Sequence, residues 1–465
     1  MTIIKGINPE KFERQPFKMP TLEEMKAMFG EGGPPAPPGM SPGTEKPVPA
    51  VMIKNGKLIP EESKLNLITS GTVKDITATG VEIKIDSGTT GGFHVRGEGT
   101  EYTISDSIIK LSGNGSGLGG PGSGASCDDH STLVLKNVNI ETNGVARCAT
   151  AAENGSILKV YNSTLIAHGA PFDSVPKIFG IVPPAALEIE GNCRAHCTMS
   201  NSYSYFYDST IIADGWAALS TDASMGFVHL EATRCKVKTI KSGYGTYADG
   251  GCHNFFNDCD FESACMAAIL AGESDITFNN TRAKCGTYFA MIHCVMGSPT
   301  EVSTLNVKGS EITCEKPAVI VKSQNAIINF DNVKINSTCG TLIKSIWNDD
   351  PNATKTKGQK VYGIHTTFKN MDIAGDIVHE DPDRSMSVYL ISTTLKGAIK
   401  DAFLTLDGNS KWVAERDSTV SLVGNVDISQ IDAPEGITIN AIAAQEGTFK
   451  LPSGGILNLI NQIKK

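Results

Sequence analysis

A unit of the form apolar-x-apolar-x-corner-x-x-apolar recurs along this chain, in Leu133, Leu135, Asn137 and Ile140 and again in Ile328, Phe330, Asn332 and Ile335. A repeat of this kind restricts the fold more than any composition does. With the corner residue as anchor, copies fall at Asp106, Asn137, Asn162, Asp208, Ala232, Asp258, Asn280, Gly309, Asn332, Asn370 and Ser392. The successive spacings are 31, 25, 46, 24, 26, 22, 29, 23, 38 and 22 residues. Because 46 is twice 23, a degenerate turn is expected within residues 187–197, which leaves a period of about 22 to 26 residues.

All anchors but Ala232 are Asn, Asp, Ser or Gly, the residues that best suit a sharp or left-handed corner. Two residues beyond the anchor, after Ile108 in the first copy, the column is polar throughout: Asn139, Thr164, Thr210, Arg234, Asp260, Arg282, Glu311, Lys334, Asp372 and Thr394. Period two along each short segment, combined with a coil period in the twenties, describes strands that pair with the next coil rather than within their own. Leucine-rich repeats have a similar period, but their Leu ladder and recurring helix are absent. The high glycine count of 47 and the 6% aromatic content agree with many short strands and tight turns.

With its stacked Asn-type corners over residues 73–431, the chain resembles the pectin lyase-like superfamily of right-handed parallel β-helices. The resemblance implies an all-β chain forming a single right-handed parallel β-helix of about 12 turns. It says little about activity, because that superfamily includes lyases, hydrolases, isomerases and non-catalytic tail or adhesin proteins. Three regions are expected: an N-terminal arm or cap over residues 1–60, the β-helix over 61–435 and a C-terminal cap over 436–465. Within the arm, residues 20–29 read as a short helix with Thr21 as N-cap, followed by a Gly/Pro-rich loop at 32–39. Residues 455–465 read as an amphipathic helix covering the last coil.

The net charge of −9 argues against nucleic acid or an anionic membrane as partner. Residues 1–14 carry charges throughout, and no later run approaches the roughly 18 apolar residues of a membrane span, so a cytoplasmic location is expected. In that setting the twelve cysteines read as reduced thiols, most of them small buried hydrophobes.

Chemistry is sought on insertions and on polar columns. The Gly-rich insertion at 113–130 ends in Asp128, Asp129 and His130 and carries no nucleotide-binding Lys-Ser or Lys-Thr. A second insertion, at 168–184, is too apolar for a solvated tether and reads as a flap. It leads into a segment whose alternation puts Glu188, Glu190, Asn192, Arg194 and His196 on the outer face. Counting thirteen residues past the anchors Asp208, Asn280 and Gly309 reaches Thr221, His293 and Lys322, with Asp222, Tyr247, Asp249, His253 and Glu273 near the same column. Titratable groups stacked about 5 Å apart would perturb one another. His196, Tyr247, Asp249, His253 and His293 are therefore the candidate catalytic groups, and Glu188, Glu190, Arg194, Asp222, Glu273 and Lys322 the candidate substrate-binding ones. His196, His229, His253 and His293 with Asp222 and Asp249 could include a two-His-one-carboxylate set, but neither Cys193–Cys197 nor Cys259–Cys265 supplies a CxxC pair, and no metal is assigned.

This combination suggests a cytoplasmic, cofactor-free hydrolase or lyase, with ring opening or isomerisation as variants, acting on a small polar cyclic carbonyl or sugar-like molecule on the lateral face. The competing reading is a non-catalytic carbohydrate- or partner-binding solenoid of the tail-fibre or adhesin kind. A row of outward aromatics, Tyr205, Phe255 and Tyr389, further suggests a homo-oligomer such as a trimer.

Overall fold

Runs of four to seven residues bounded by Asn, Asp, Ser or Gly are too short to pair with themselves, and each finds its partner one coil away. The computed structural model describes residues 2–18, 23, 47–115, 117–171, 183–222, 226–294, 300–348 and 361–461, and the regular elements there are strands and single 3-10 turns. The chain divides into two compact units, Lys18–Ala268 and Met1–Phe17 with Ile269–Lys465.

Within Lys18–Ala268, strands Glu101–Ser105, Thr132–Lys136, Ile157–Tyr161, Tyr203–Tyr207, Val228–Thr233 and Cys252–Asn257 stack in parallel. The register aligns Tyr102, Leu133, Leu158, Ser204, Leu230 and Asn254 in one interior column. Ile104, Leu135, Val160, Phe206, Ala232 and Phe256 form the next, and every member of both columns is buried. A second face begins with Ile108–Ser112, Asn139–Asn143, Thr164–His168 and Thr210–Ala213. The third is built from Ala125–Asp128, Thr150–Ala152, Cys193–Met199, Trp216–Asp222 and Tyr244–Ala248.

The other unit repeats the scheme. Its interior column runs Phe278, Val307, Phe330, Phe368 and Leu390, and Phe330 stacks on Phe368 with ring centroids 5.5 Å apart and planes 13° off parallel. The four phenylalanines 256, 278, 330 and 368 are all inside.

The corners follow one design. Asp106, Asn137, Asn162, Asp208 and Asp258 have φ between 50 and 55° or just below, at 47° for Asn162, as do Asn280, Asn332, Asn370 and Ser392 in the other unit, where Gly309 sits at 60°. The residue after the corner turns inward and is commonly Ser, Thr or Cys. Ser163 Oγ donates to Tyr161 O at 2.8 Å and accepts the Val138 N–H of the preceding coil at 3.0 Å. Ser209 repeats this with Tyr207 O at 2.7 Å and Ser163 N at 3.1 Å, and Ser310 with Lys308 O at 2.9 Å and Thr281 N at 3.0 Å. Cys259 is the sulfur version, 3.3 Å to Asn257 O and 3.5 Å to Cys235 N.

Three expectations are corrected. The corner assigned to Ala232 lies at Arg234, φ 53°, whose guanidinium holds Asp208 of the previous corner at 2.7 and 2.8 Å; Ala232 is an interior strand residue. No turn is hidden at 187–197, because Ile157–Tyr161 pairs directly with Tyr203–Tyr207 and Thr164–His168 with Thr210–Ala213, so those 46 residues are one coil with a long loop. The amphipathic helix expected over 455–465 is instead strand Ile456–Asn461, parallel to Thr438–Ala443 and antiparallel to Gly447–Lys450, with Leu457 and Leu459 buried at period two. The expected helix at 20–29, apart from Glu23, and the loop at 32–39 lie outside the described residues.

Phe330→Ala should cost about 3 to 5 kcal/mol, the usual loss for a large ring in a packed interior. Equilibrium urea unfolding of the two proteins measures it, and a change under about 1 kcal/mol would show that the column is not close-packed.

Candidate functional site

The third face of Lys18–Ala268 carries a group of polar side chains in which Arg194 and Cys197 are buried and Asp222, Tyr247 and Asp249 are half-buried. Cys197, Ser220 and Tyr247 align in one column there. Met199 pairs with Asp222, and Asp249 continues the next coil one step past Ala248, the partner of Thr221. Arg194 crosses this array. Its guanidinium lies 4.2 Å from the centroid of the Trp216 ring, makes a close ion pair with Asp222 Oδ2 and reaches Cys197 Sγ at 3.5 Å. The Cys197 thiol donates to the same Asp222 oxygen at 3.2 Å. Arg194 is 6% exposed, and its Nε has no partner among the described residues.

Trp216 reaches this position through a left-handed backbone, φ 84°. Gly243, φ 104°, makes it possible, since a Cβ there would come within 2.5 Å of the Trp216 carbonyl oxygen. Beyond the tryptophan, the Tyr244 hydroxyl and Ser220 Oγ are 3.1 Å apart and the Tyr244 and Tyr247 rings 5.7 Å apart. Asp249 accepts from Cys252 Sγ at 3.2 Å.

Burial decides the protonation of the neutral members. The Tyr247 phenol is pushed well above its ordinary range by burial of its hydroxyl and then by Asp249 and Asp222. Burial, followed by Asp222, does the same to the Cys197 thiol, and Cys148 is pushed up to about 12 mainly by burial. These cysteines are therefore thiols, poor nucleophiles at neutral pH. Burial works against the Arg194 charge, but Asp222 together with Tyr244, Cys197 and Cys148 raises its pKa well above the ordinary value. The chemistry on offer is a neutral phenol beside carboxylates and a desolvated guanidinium with one N–H to spare.

Of the residues singled out from sequence, Arg194, Asp222, Tyr247 and Asp249 come together. His196 does not join them, because it points inward and is fully buried. Its Nδ1 is 2.9 Å from Thr150 Oγ1, its Nε2 2.6 Å from Thr198 Oγ1, and its ring meets the edge of Phe206 at 4.8 Å. The outward alternation expected across Glu188 to His196 fails for a local reason. Glu188 at φ 55° and Gly191 at φ 148° make a bend, Glu188 and Glu190 lie exposed on the loop, and Asn192 is buried. The strand begins only at Cys193 and is covered on both sides, so period two has no meaning there.

Thr221 also faces the interior, donating to Tyr247 O at 2.7 Å. His253 stands on strand Cys252–Asn257, half-buried and in register with His229 and Tyr203, with the Phe227 ring 6.2 Å away. In the other unit, His293 pairs in register with Lys322 and its Nδ1 is 3.1 Å from Asn348 Nδ2. There Glu273 accepts from Val302 N at 2.7 Å and holds Arg14 in a close ion pair. Of the expected flap, 172–182 lie outside the described residues. The outward aromatics Tyr205, Phe255 and Tyr389 are half-buried rather than exposed; on that face Tyr203 and Phe227 are the open ones, at 43% and 52%.

Sequence reading missed Trp216, Tyr244 and Cys197. The glycines around Trp216, at 191, 215 and 243, were the available hint that a bulky side chain is tightly seated there. Among the described residues no group of three or more His, Cys, Asp or Glu side chains is arranged to hold a metal ion, and no helix is long and apolar enough to cross a membrane. The sequence matches no protein-family model and no curated protein.

Burial pushes the pKa of His196 down to about 3 and that of His94 down to about 4. Unfolded, both titrate near 6.5, so on acidification the unfolded chain takes up protons first and stability falls from about pH 6.5 downward. Urea midpoints measured between about pH 7 and 4 should decline progressively over this window, and His196→Gln should flatten the decline. An unchanged slope in the variant would mean that His196 stays accessible.

Proposed function

We propose that this protein is an enzyme, a hydrolase or lyase, performing cofactor-free acid/base chemistry on a small polar substrate held against the Arg194–Tyr247 face. The observation that carries this reading is the juxtaposition of Tyr247, Asp222 and Asp249 with a buried Arg194 whose Nε lacks a partner among the described residues. In it, Asp249 takes the proton, Tyr247 supplies one, and Arg194 Nε donates to a carbonyl oxygen on which charge develops. Asp222 positions Arg194. A cyclic carbonyl compound opened by water, or a sugar derivative, suits this set of groups. The coil is taken as right-handed, the hand of nearly all parallel crossovers, and a reducing cytoplasm agrees with twelve unpaired cysteines.

Screening simple lactones, cyclic amides and glycosides for turnover tests the reading. With an active substrate in hand, Tyr247→Phe and Asp249→Asn should each lower kcat about 10²-fold or more without shifting the melting temperature, while His253→Ala should leave kcat within a few-fold. Full activity in both of the first two variants would reject this site.

A second reading, a non-catalytic solenoid that binds a partner through its side, draws on the aromatic face of the same unit. Tyr161 and Tyr207 stack at 5.1 Å, and His229 lies 5.5 Å from Tyr205 and 5.3 Å from Phe255. The partner we propose is another copy of the chain, in a homo-oligomer such as a trimer, through Tyr203 and Phe227. Sedimentation should give a multiple of 49.3 kDa that Tyr203→Ser with Phe227→Ser reduces to the single chain. A native protein sedimenting only near that mass would exclude association.

A further inference from the structure

Three successive strands of the unit that contains Ile269–Lys465, Arg282–Cys285, Glu311–Cys314 and Lys334–Ser337, end in register, so that Cys285, Cys314 and Ser337 lie opposite one another. Both cysteines are buried. Two residues past Ser337 comes Cys339, which is exposed, whereas the other eleven cysteines are buried or half-buried. A tight turn carries it back toward the column: Thr338 N donates to Cys314 O and Gly340 N to Ser337 O, both at 2.9 Å, with Gly340 at φ 72°. Cys339 Sγ then lies 3.3 Å from Ser337 Oγ. That hydroxyl donates to Lys316 O at 3.0 Å, and the Cys314 thiol donates to the same carbonyl at 3.2 Å. Cys314 also hydrogen-bonds with Ser337, so one small side chain touches both sulfurs.

The two thiols differ in what can reach them. Burial pushes the Cys314 thiol up to about 11 against its bond to Ser337, and the neighbouring Cys339 adds to this. Cys314 is therefore protonated at neutral pH and shielded from solvent, a poor first target for an oxidant. Cys339 is open to solvent, and an accessible thiol with a second one beside it is the arrangement in which oxidation stops at a disulfide instead of running on to the sulfinic acid.

We propose that Cys339 and Cys314 form a redox couple whose oxidant is a small hydroperoxide, with Cys339 reacting first and Cys314 resolving it. The Cys339 thiolate attacks one peroxide oxygen and the O–O bond breaks. The other oxygen leaves as hydroxide and becomes water with the proton that the thiol gave up. Cys339 is then a sulfenic acid. The Cys314 sulfur displaces its hydroxyl: the S–S bond forms, the S–O bond breaks, and the Cys314 proton passes through the Ser337 hydroxyl to the departing oxygen, giving a second water. Two thiols are oxidised to one disulfide and the peroxide is reduced to two waters. The product ties the turn at 337–340 to the strand of the preceding coil, and a dithiol reductant reverses it.

Mass spectrometry of the full chain, reduced, desalted and treated with hydrogen peroxide, tests this. The intact mass should fall by two hydrogens, and a digest should yield a Cys314–Cys339 linked peptide that dithiothreitol separates. Cys339→Ser, a change at an exposed turn, should melt as the native chain does and form no such link. Cys314→Ser should leave a Cys339 sulfenic acid that dimedone traps about tenfold more than in the native chain, because nothing resolves it. Should that buried variant fail to fold, the linked peptide in the native chain and its loss in Cys339→Ser still decide the matter. A native chain whose Cys339 ends as a sulfinic acid, or as a disulfide to a second copy or to another cysteine, overturns the proposal, as does equal dimedone trapping in the native chain and a folded Cys314→Ser.

Discussion

The hydroxyl or thiol that follows most corners is the contact on which the coils depend. A left-handed residue turns the chain at little strain when it is Asn, Asp or Gly. That conformation alone, however, says nothing about where the next coil should lie. The inward Ser, Thr or Cys does, because it closes its own turn by donating two residues back and accepts an N–H from the adjacent coil, as Ser163 does with Tyr161 and Val138. A slip by one residue would break both bonds and reverse every side chain between core and solvent. Each such group contributes only about 0.5 to 1.5 kcal/mol, but each leaves an N–H buried and unpaired when lost, at about 1 to 3 kcal/mol. The same rule accounts for Cys235 and Cys259, whose sulfurs replace the hydroxyl and fill slightly more space.

This also explains what was legible beforehand. Corners are visible because few residue types tolerate positive φ, and interior columns because a strand with one wet face alternates. Where the physical cause is absent, the reading goes wrong. Arg234 can occupy a corner because its guanidinium is held by Asp208 of the preceding one, a contact no local pattern reveals. The 46-residue spacing looks like two coils because an insertion of one coil's length cannot be told from a turn by counting. At the C-terminus, Leu457 and Leu459 satisfy period two, but so short a segment fits a helical stripe as well.

The site was partly legible for the same reason. Asp222, Tyr247 and Asp249 were found by counting past corners, an argument about register, and register is what the corners enforce. Glu188, Glu190 and His196 were assigned by alternation, which requires one wet face; the two glutamates are exposed, but on a loop that precedes the strand, and His196 lies on a strand covered on both sides. Alternation would also have kept Arg194 and His196 on one side of the strand. The register passes from Arg194 opposite Ala217 to His196 opposite Leu219, and the two side chains end in different surroundings, one with Trp216 and Asp222, the other with Thr150 and Phe206.

That separation matters for what the face can do. A buried ion pair is seldom the most stable filling for a covered face, since desolvation of both charges roughly cancels their attraction, and well-packed apolar residues of the same volume often do better. Removing one partner is worse still, because the other is left charged and dry. Arg194 and Asp222 therefore tie this face to a charged arrangement that stability alone does not favour, with Trp216 in a left-handed conformation at their side. A chain that could have closed the same space with leucines instead keeps a guanidinium N–H with no partner among the described residues. Strain and uncompensated polarity of this kind persist where the surrounding structure over-determines them, and here the corners on either side of the face supply that constraint.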